Sequence, residues 1–209
     1  MRNTFLLFAF LFTASFLIAQ ETPMSPAEVS AFKEKVSAVS LKTETIKSDF
    51  VQYKHLDFLT SDVKTSGKMM FKAPNLVRWE YTEPYQYSVV FNENQLLIND
   101  GGTKSKVDIG SSKLFRKLNE LIVNSVKGDM FSNSDFEVTF FKISNYDKAV
   151  FTPKDPKIAA YIASFELLFN KADGHVIEVK MIEPSKDFTR IVFRNRILNQ
   201  KIDASVFTH

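Results

Sequence analysis

The chain has 209 residues, with 27 Lys and Arg against 24 Asp and Glu, three His and no Cys. A net charge of +3, spread along the sequence, is no nucleic-acid footprint. The lack of Cys excludes disulfides, thiolate ligands and a lipid-modified N-terminal Cys. The histidines, His55, His175 and His209, have no ligand spacing, so neither metal nor cofactor is expected.

The first residues are Met1-Arg2-Asn3, followed by an apolar run from Phe5 to Ala19 whose only polar members are Thr13 and Ser15. This is the pattern of a secretory signal peptide. The run is shorter than the roughly 20 residues an anchoring helix needs, and small Ala19 precedes polar Gln20 and Glu21. Cleavage after Ala19 or Gln20 is the expectation, with an uncleaved anchor as the alternative. The chain is thus divided into a signal peptide, 1–20, and a single domain, 21–209, large enough for one core.

Ser25-Pro26-Ala27-Glu28 reads as a capping box with Pro at the first helical position. It predicts a helix over 26–40, striped by Val29, Phe32, Val36 and Val39, with Lys33, Glu34 and Lys35 opposite. From Thr45 the period changes to two, predicting strands over 45–55, 63–72, 76–82, 86–93 and 95–100, with turns at 92–94 and 100–102. A second helix is predicted over 112–127, where Leu114, Phe115, Leu118, Leu121, Ile122 and Val126 form one stripe before Gly128.

Strands follow over 135–144, 148–153, 161–170, 175–183 and 187–195, then an extended tail over 202–207. Ala172-Asp173-Gly174 marks a hairpin, and His175 after it reads as a solvated loop residue. Ten or so short strands without βαβ alternation predict a mainly β (α+β) fold, a single strongly curled antiparallel sheet with helices on one face.

Nucleophile and zinc-protease motifs are missing: there is no G-x-S-x-G, no Cys and no H-E-x-x-H. Asp49, Glu80, Glu83, Asp135 and Glu178 alternate with apolar residues, the pattern of a solvated outer face rather than of paired catalytic carboxylates. The expected class is therefore a binding protein rather than an enzyme.

The apolar load is carried on the strands. Five of the 21 Phe lie in the leader; Trp79 and all six Tyr remain after it. One series of alternate positions comprises Met69 and Phe71, then Val77, Trp79 and Tyr81, then Tyr87, Val89 and Phe91. Another comprises Phe165, Leu167 and Phe169, then Ile177, Val179 and Met181, then Ile191 and Phe193. Such rows either fill a core beneath the helices or, in a curled sheet too large for two or three short helices to fill, line a cavity for a lipid. Periodicity leaves both readings open.

Residues 50–100 carry a family pattern: Phe50-Val51-Gln52, then Gly67-Lys68-Met69-Met70-Phe71, then Lys72-Ala73-Pro74-Asn75-Leu76-Val77-Arg78-Trp79, Pro84 and a strand pair through Asp100. Phe151-Thr152-Pro153-Lys154 and the Asp173-Gly174 hairpin extend it more loosely. In these segments the chain resembles the LolA family of outer-membrane lipoprotein carriers. The resemblance implies an unclosed antiparallel barrel with an α-helical lid, and a hydrophobic cavity between them for lipoprotein acyl chains. It further implies a periplasmic monomer that touches membranes only transiently, loaded by an inner-membrane ABC lipoprotein exporter and unloaded to an outer-membrane acceptor.

On that resemblance Val77 and Trp79 line the cavity and Val36 and Val39 face it from the first lid helix. The expected wall also includes Phe50, Met69, Phe71, Tyr81, Val89, Phe91 and Leu96 from one series of strands. Phe165, Leu167, Phe169, Val179, Ile191 and Phe193 complete it from the other. One departure concerns the lid: relatives with the proteobacterial pattern carry Arg before the Pro, where it hydrogen-bonds the lid shut, and here that position is Ala73. Either Lys72 or Arg78 substitutes, or the lid is held by apolar contact alone. A relative carrying another amphiphile, such as a glycolipid or lipid-linked pigment precursor, is one alternative; a sensor or interaction protein on the same fold, or a lipid-modifying enzyme, are others.

Overall fold

The period-two stretches form one antiparallel sheet of twelve strands, seen in a computed structural model that describes residues 21–92, 95–108, 131 and 135–208. The first half comprises β1 (Thr22–Pro23), α1 (Pro26–Leu41), β2 (Thr45–His55), β3 (Val63–Lys72), β4 (Leu76–Glu83), β5 (Tyr87–Asn92), β6 (Gln95–Asp100) and β7 (Thr103–Asp108). The second comprises β8 (Phe136–Ile143), β9 (Tyr146–Pro153), α2 (Pro156–Ala159), β10 (Ser164–Asn170), β11 (Val176–Ile182), β12 (Phe188–Leu198) and a 3-10 helix (Ala204–Phe207).

The strand order is β1-β8-β9-β10-β11-β12-β2-β3-β4-β5-β6-β7. Two meanders are therefore joined where β12 returns beside β2, with Phe193 opposite Phe50 and Ile191 opposite Gln52. β1 and β7 end the sheet and do not pair with each other, so the barrel is open. β3 and β4 approach tightly at Gly67, beside a register shift between Ser66 and Gly67. A Cβ there would sit 1.9 Å from the backbone oxygen of Glu80, so only glycine fits.

α1 begins where its capping box predicts. The Ser25 side chain accepts from the Glu28 amide at 3.4 Å and the Glu28 carboxylate accepts from the Ser25 amide at 2.9 Å, satisfying two amides that the first turn leaves unpaired. Its far end is tied to the end of β12: Asn199 accepts from the Glu44 amide at 2.8 Å and donates to the Lys42 carbonyl at 2.9 Å.

Three apolar clusters result. Phe32 and Val36 of α1 cover Phe140, Phe151, Phe165, Leu167 and Phe169 on β8–β10. Ile46, Phe50, Met69, Phe71 and Val77 form the second, on the same face of β2–β4. The third lies on the opposite face, where Val90 meets Ile202 and Phe207 with Met70, Leu76 and Leu97 around them.

Several elements depart from the sequence expectations. Within the tail over 202–207, Ala204–Phe207 form a 3-10 helix capped by Asp203 rather than an extended segment, and it buries Phe207 against the outer face. β7, α2 and the short β1 were not anticipated. The helix predicted over 112–127 lies outside the described residues, as does the signal peptide.

Candidate functional site

A cavity of about 260 Å³ lies between α1 and the inner face of the sheet. Alternation along each strand sends every second side chain to this face, and the register aligns them across strands. Met69 stands opposite Trp79, Phe71 opposite Val77, Val179 opposite Ile191, and Phe165 opposite Met181. From α1, Val36, Val39 and Ser40 close the space. The Trp79 ring lies tilted 4.7 Å from Phe50 and edge-on 5.9 Å from Phe193, so its orientation is set by aromatic neighbours.

Ten of the predicted wall residues border the cavity: Val36, Val39, Met69, Phe71, Val77, Trp79, Phe165, Val179, Ile191 and Phe193. The other seven do not. Leu167 and Phe169 are completely buried beneath Phe32, because the helix packs directly on β10 at that point. Phe50 is buried behind Trp79 and Tyr81. Tyr81 turns its hydroxyl to Gln52, donating at 2.9 Å, and burial pushes its pKa up to about 12. Val89, Phe91 and Leu96 share the inner face in register with Trp79 and Val77, but on β5 and β6, which continue the sheet past the cavity.

Neither cation proposed to gate the lid is on the lid side. Lys72 and Arg78 alternate with Phe71, Val77 and Trp79, so they stand on the outer face. There Lys72 donates to the Ile202 carbonyl at 3.4 Å and Arg78 to the Val206 carbonyl at 3.3 Å. Both hold the C-terminal segment against the sheet. α1 is instead held by its apolar stripe and by contacts at its rim: Lys142 pairs with Glu28 at 2.6 Å, and Lys35 donates to the Lys171 carbonyl. The Lys142 contact, with the Ser25 amide and hydroxyl, holds the Glu28 carboxyl at about 2.

Besides the apolar Ile46, Val176 and Met181 and the Ser40 of α1, the wall holds parts outside the predicted set that are polar or turn-forming: the turn at Gly174 and His175, the pair Ser48 and Thr189, and Arg196. His175 is not a solvated loop residue. Gly174 takes a φ of +72°, open to glycine at little cost, and this turns the chain under α1, where a Cβ on Gly174 would lie 3.3 Å from Val39. Ser48 spends its hydroxyl on the Arg194 carbonyl at 2.8 Å. Arg196 donates to Asp173 at 2.6 Å and to the Val176 carbonyl at 3.2 Å, so its charge is neutralised within the wall. Burial, with the Arg196 charge next in effect, holds the His175 imidazole below the usual histidine range. An apolar pocket whose few polar groups are neutral or paired favours a hydrocarbon over an ion, which would shed its hydration there without a counter-charge.

Fold and site together define an open antiparallel β-barrel, covered on its inner face by a helix, with a hydrophobic cavity between sheet and helix. The sequence matches the family described as outer membrane lipoprotein carrier protein LolA over residues 41–209, and the chain belongs to that family. It is 25% identical, over 199 residues covering 95% of this chain and 91% of the relative, to an outer-membrane lipoprotein carrier protein of Pseudomonas paraeruginosa. Its fold is shared by a DUF1329 family protein from Desulfovibrio piger, at a TM-score of 0.51 and 13% identity over 87% of this chain and 97% of that one. The Mycobacterium tuberculosis lipoprotein LppX shares it too, at a TM-score of 0.50 and 8% identity over 86% of this chain and 99% of that one.

Proposed function

We propose that this protein is a periplasmic carrier that takes lipoproteins from an inner-membrane ABC exporter, shelters their acyl chains beneath α1, and releases them to an outer-membrane acceptor. The proposal includes residues 1–20 as a cleaved export signal and the mature domain as a monomer. The observation that carries it is the apolar cavity framed by Val36, Val39 and Trp79 in a chain whose relatives are named lipoprotein carriers.

The energetics suit transport through water. An acyl chain of about 16 carbons, at roughly 0.8 kcal/mol per methylene, costs more than ~10 kcal/mol to leave exposed. The cavity, at about 260 Å³, is slightly smaller than preformed small-molecule pockets, which span roughly 300–1,000 Å³. A long chain therefore enters only as α1 moves outward. Loading then exchanges helix-to-sheet contacts for cargo-to-sheet contacts, so only the difference appears as affinity and the cargo is released readily.

The test is mass spectrometry of amphiphiles extracted from the native protein purified from the cell envelope. Acylated N-terminal lipoprotein peptides are the expected result. A glycolipid or pigment precursor in their place would assign the same cavity to another cargo, and recovery of no amphiphile would contradict the carrier role.

A further inference from the structure

β12 changes faces near its end. Thr189, Ile191 and Phe193 border the cavity, and unbroken alternation would send Asn195 and Ile197 inward after them and Arg196 outward. A register shift between Arg194 and Ile197 reverses this. Asn195 takes a φ of +52°, left-handed backbone that costs most side chains and that asparagine tolerates, and it donates to Asp49 at 2.8 Å. Ile197 then lies opposite Lys47 and is 50% exposed, while Arg196 borders the cavity.

Bulges re-aim side chains, often beside functional sites. This one works against hydrophobic burial, since it gives an isoleucine to water and a cation to an apolar space. Arg196 does hold the neighbouring turn, through Asp173 and the Val176 carbonyl. Among the described residues those two bonds leave further N–H donors in the guanidinium fork. Nor is the pair sealed in the wall: the Arg196 side chain is 17% exposed and that of Asp173 45%. The pair thus spans the wall from cavity to solvent at the end beside Val39 and Gly174, where an amphiphile's polar head keeps contact with water.

We infer that Arg196 anchors the polar end of the cargo, donating a hydrogen bond to the carbonyl oxygen of an ester or amide, with the acyl chain running from there past Val179 and Ile191 toward Met181. This rests on the acyl-chain reading of the cavity and adds a direction and a chemical preference to it. Charge selects the acceptor. Asp173 already balances the guanidinium, so a neutral carbonyl gains a charge-assisted bond, whereas a carboxylate head meets the like charge of Asp173. An ether oxygen, a poorer acceptor, gains less.

The test is displacement of diphenylhexatriene, a fluorescent hydrocarbon with no acceptor of its own, from the mature protein by methyl hexadecanoate and by hexadecyl methyl ether, which differ only in the carbonyl oxygen. The unmutated protein is expected to prefer the ester by about tenfold, as one hydrogen bond to a charged donor provides. In Arg196→Met the ester-to-ether ratio should fall to about one, and Arg196→Lys, which keeps a cationic donor, should retain part of the preference. Denaturation midpoints confirm that each variant is folded. If Arg196→Met unfolds, Asp173→Asn decides instead: it keeps an oxygen for the His175 amide but unbalances the guanidinium, so hexadecanoate should gain about tenfold over the ester. Equal displacement by ester and ether in the unmutated protein, a preference that survives Arg196→Met, or an Asp173→Asn protein with no gain for hexadecanoate overturns the role of Arg196 and leaves the acyl-chain cavity standing. Failure of diphenylhexatriene to bind, or of both compounds to displace it, overturns the acyl-chain reading and this inference with it.

Discussion

The two halves of the inner face are written in the same alternation and do different things. On β8–β10 the rows are closed off except at Phe165, which borders the cavity: Phe151, Leu167 and Phe169 have no exposure, and Phe32 of α1 packs onto Phe169 at 5.0 Å and Phe140 at 5.8 Å. On β2–β4 and β11–β12 equally apolar rows border a cavity. Among the described residues the difference lies in what covers them: the rings of Phe32 and Phe131 crowd Phe140 and Phe169, whereas Val36 and Val39 of α1 border the cavity. Strand pattern decides which face is apolar, and the size of the covering residues decides whether that face is core or container.

The sharpest way to break this comparison is to damage the filled half. Phe169→Ala is expected to cost about 3 to 5 kcal/mol of stability, as buried aromatic truncations do, while the fraction that stays folded binds a fatty-acid probe as before. Chemical denaturation and probe titration on the same samples check it. A stability loss below about 1 kcal/mol would mean that this half is not close-packed.

The next substitution makes the second half resemble the first. Val39→Phe places a ring over the cavity as Phe32 does over β10. It should cut probe affinity at least tenfold while raising the denaturation midpoint or leaving it unchanged, since filling a cavity commonly gains about 0.5 to 2 kcal/mol. Undiminished probe binding would place the ligand elsewhere.

The smallest effect concerns how α1 is anchored. The folded-state pKa of Glu28, about 2 against the ordinary 4.5, means that its contacts with Lys142 and Ser25 contribute stability above about pH 4.5, lost as the pH falls toward about 2. The midpoint of the unmutated protein should therefore decline over that window more steeply than that of Glu28→Gln. Parallel pH profiles would show that this end of α1 is not held by the carboxylate.

The comparison also explains what was legible in the sequence. Strong alternation placed β2, β3 and β6 with their bounds and aligned Trp79 with its neighbours, and the capping box placed α1. β7 escaped because Thr103–Asp108 is an exposed edge, where Lys104 and Lys106 alternate with little that is apolar. Val90 is not in the predicted apolar rows, since its partner is the distant Phe207 rather than a helix above the sheet. Asp155 and Pro156 did carry a cap and a first-turn proline for α2, overlooked because the helix is one turn long. His175 was misplaced for a related reason: a glycine turn announces a change of direction, and only the packed structure shows that the new direction leads under α1. The division of the apolar rows between core and cavity was not readable at all, because it depends on which side chains, such as Phe32 of α1 and Phe131, lie above each strand.

The most direct measurement takes Trp79→Glu beside the unmutated protein and records the denaturation midpoint and the uptake of a fluorescent fatty acid. A carrier cavity predicts a folded variant with uptake reduced at least tenfold, because a carboxylate among acyl chains costs several kcal/mol or draws in water. Trp79→Glu that unfolds, with Trp79→Ala losing ~3 to 5 kcal/mol of stability, would contradict it in favour of a filled core, and a folded Trp79→Glu with unchanged uptake would remove Trp79 from the site.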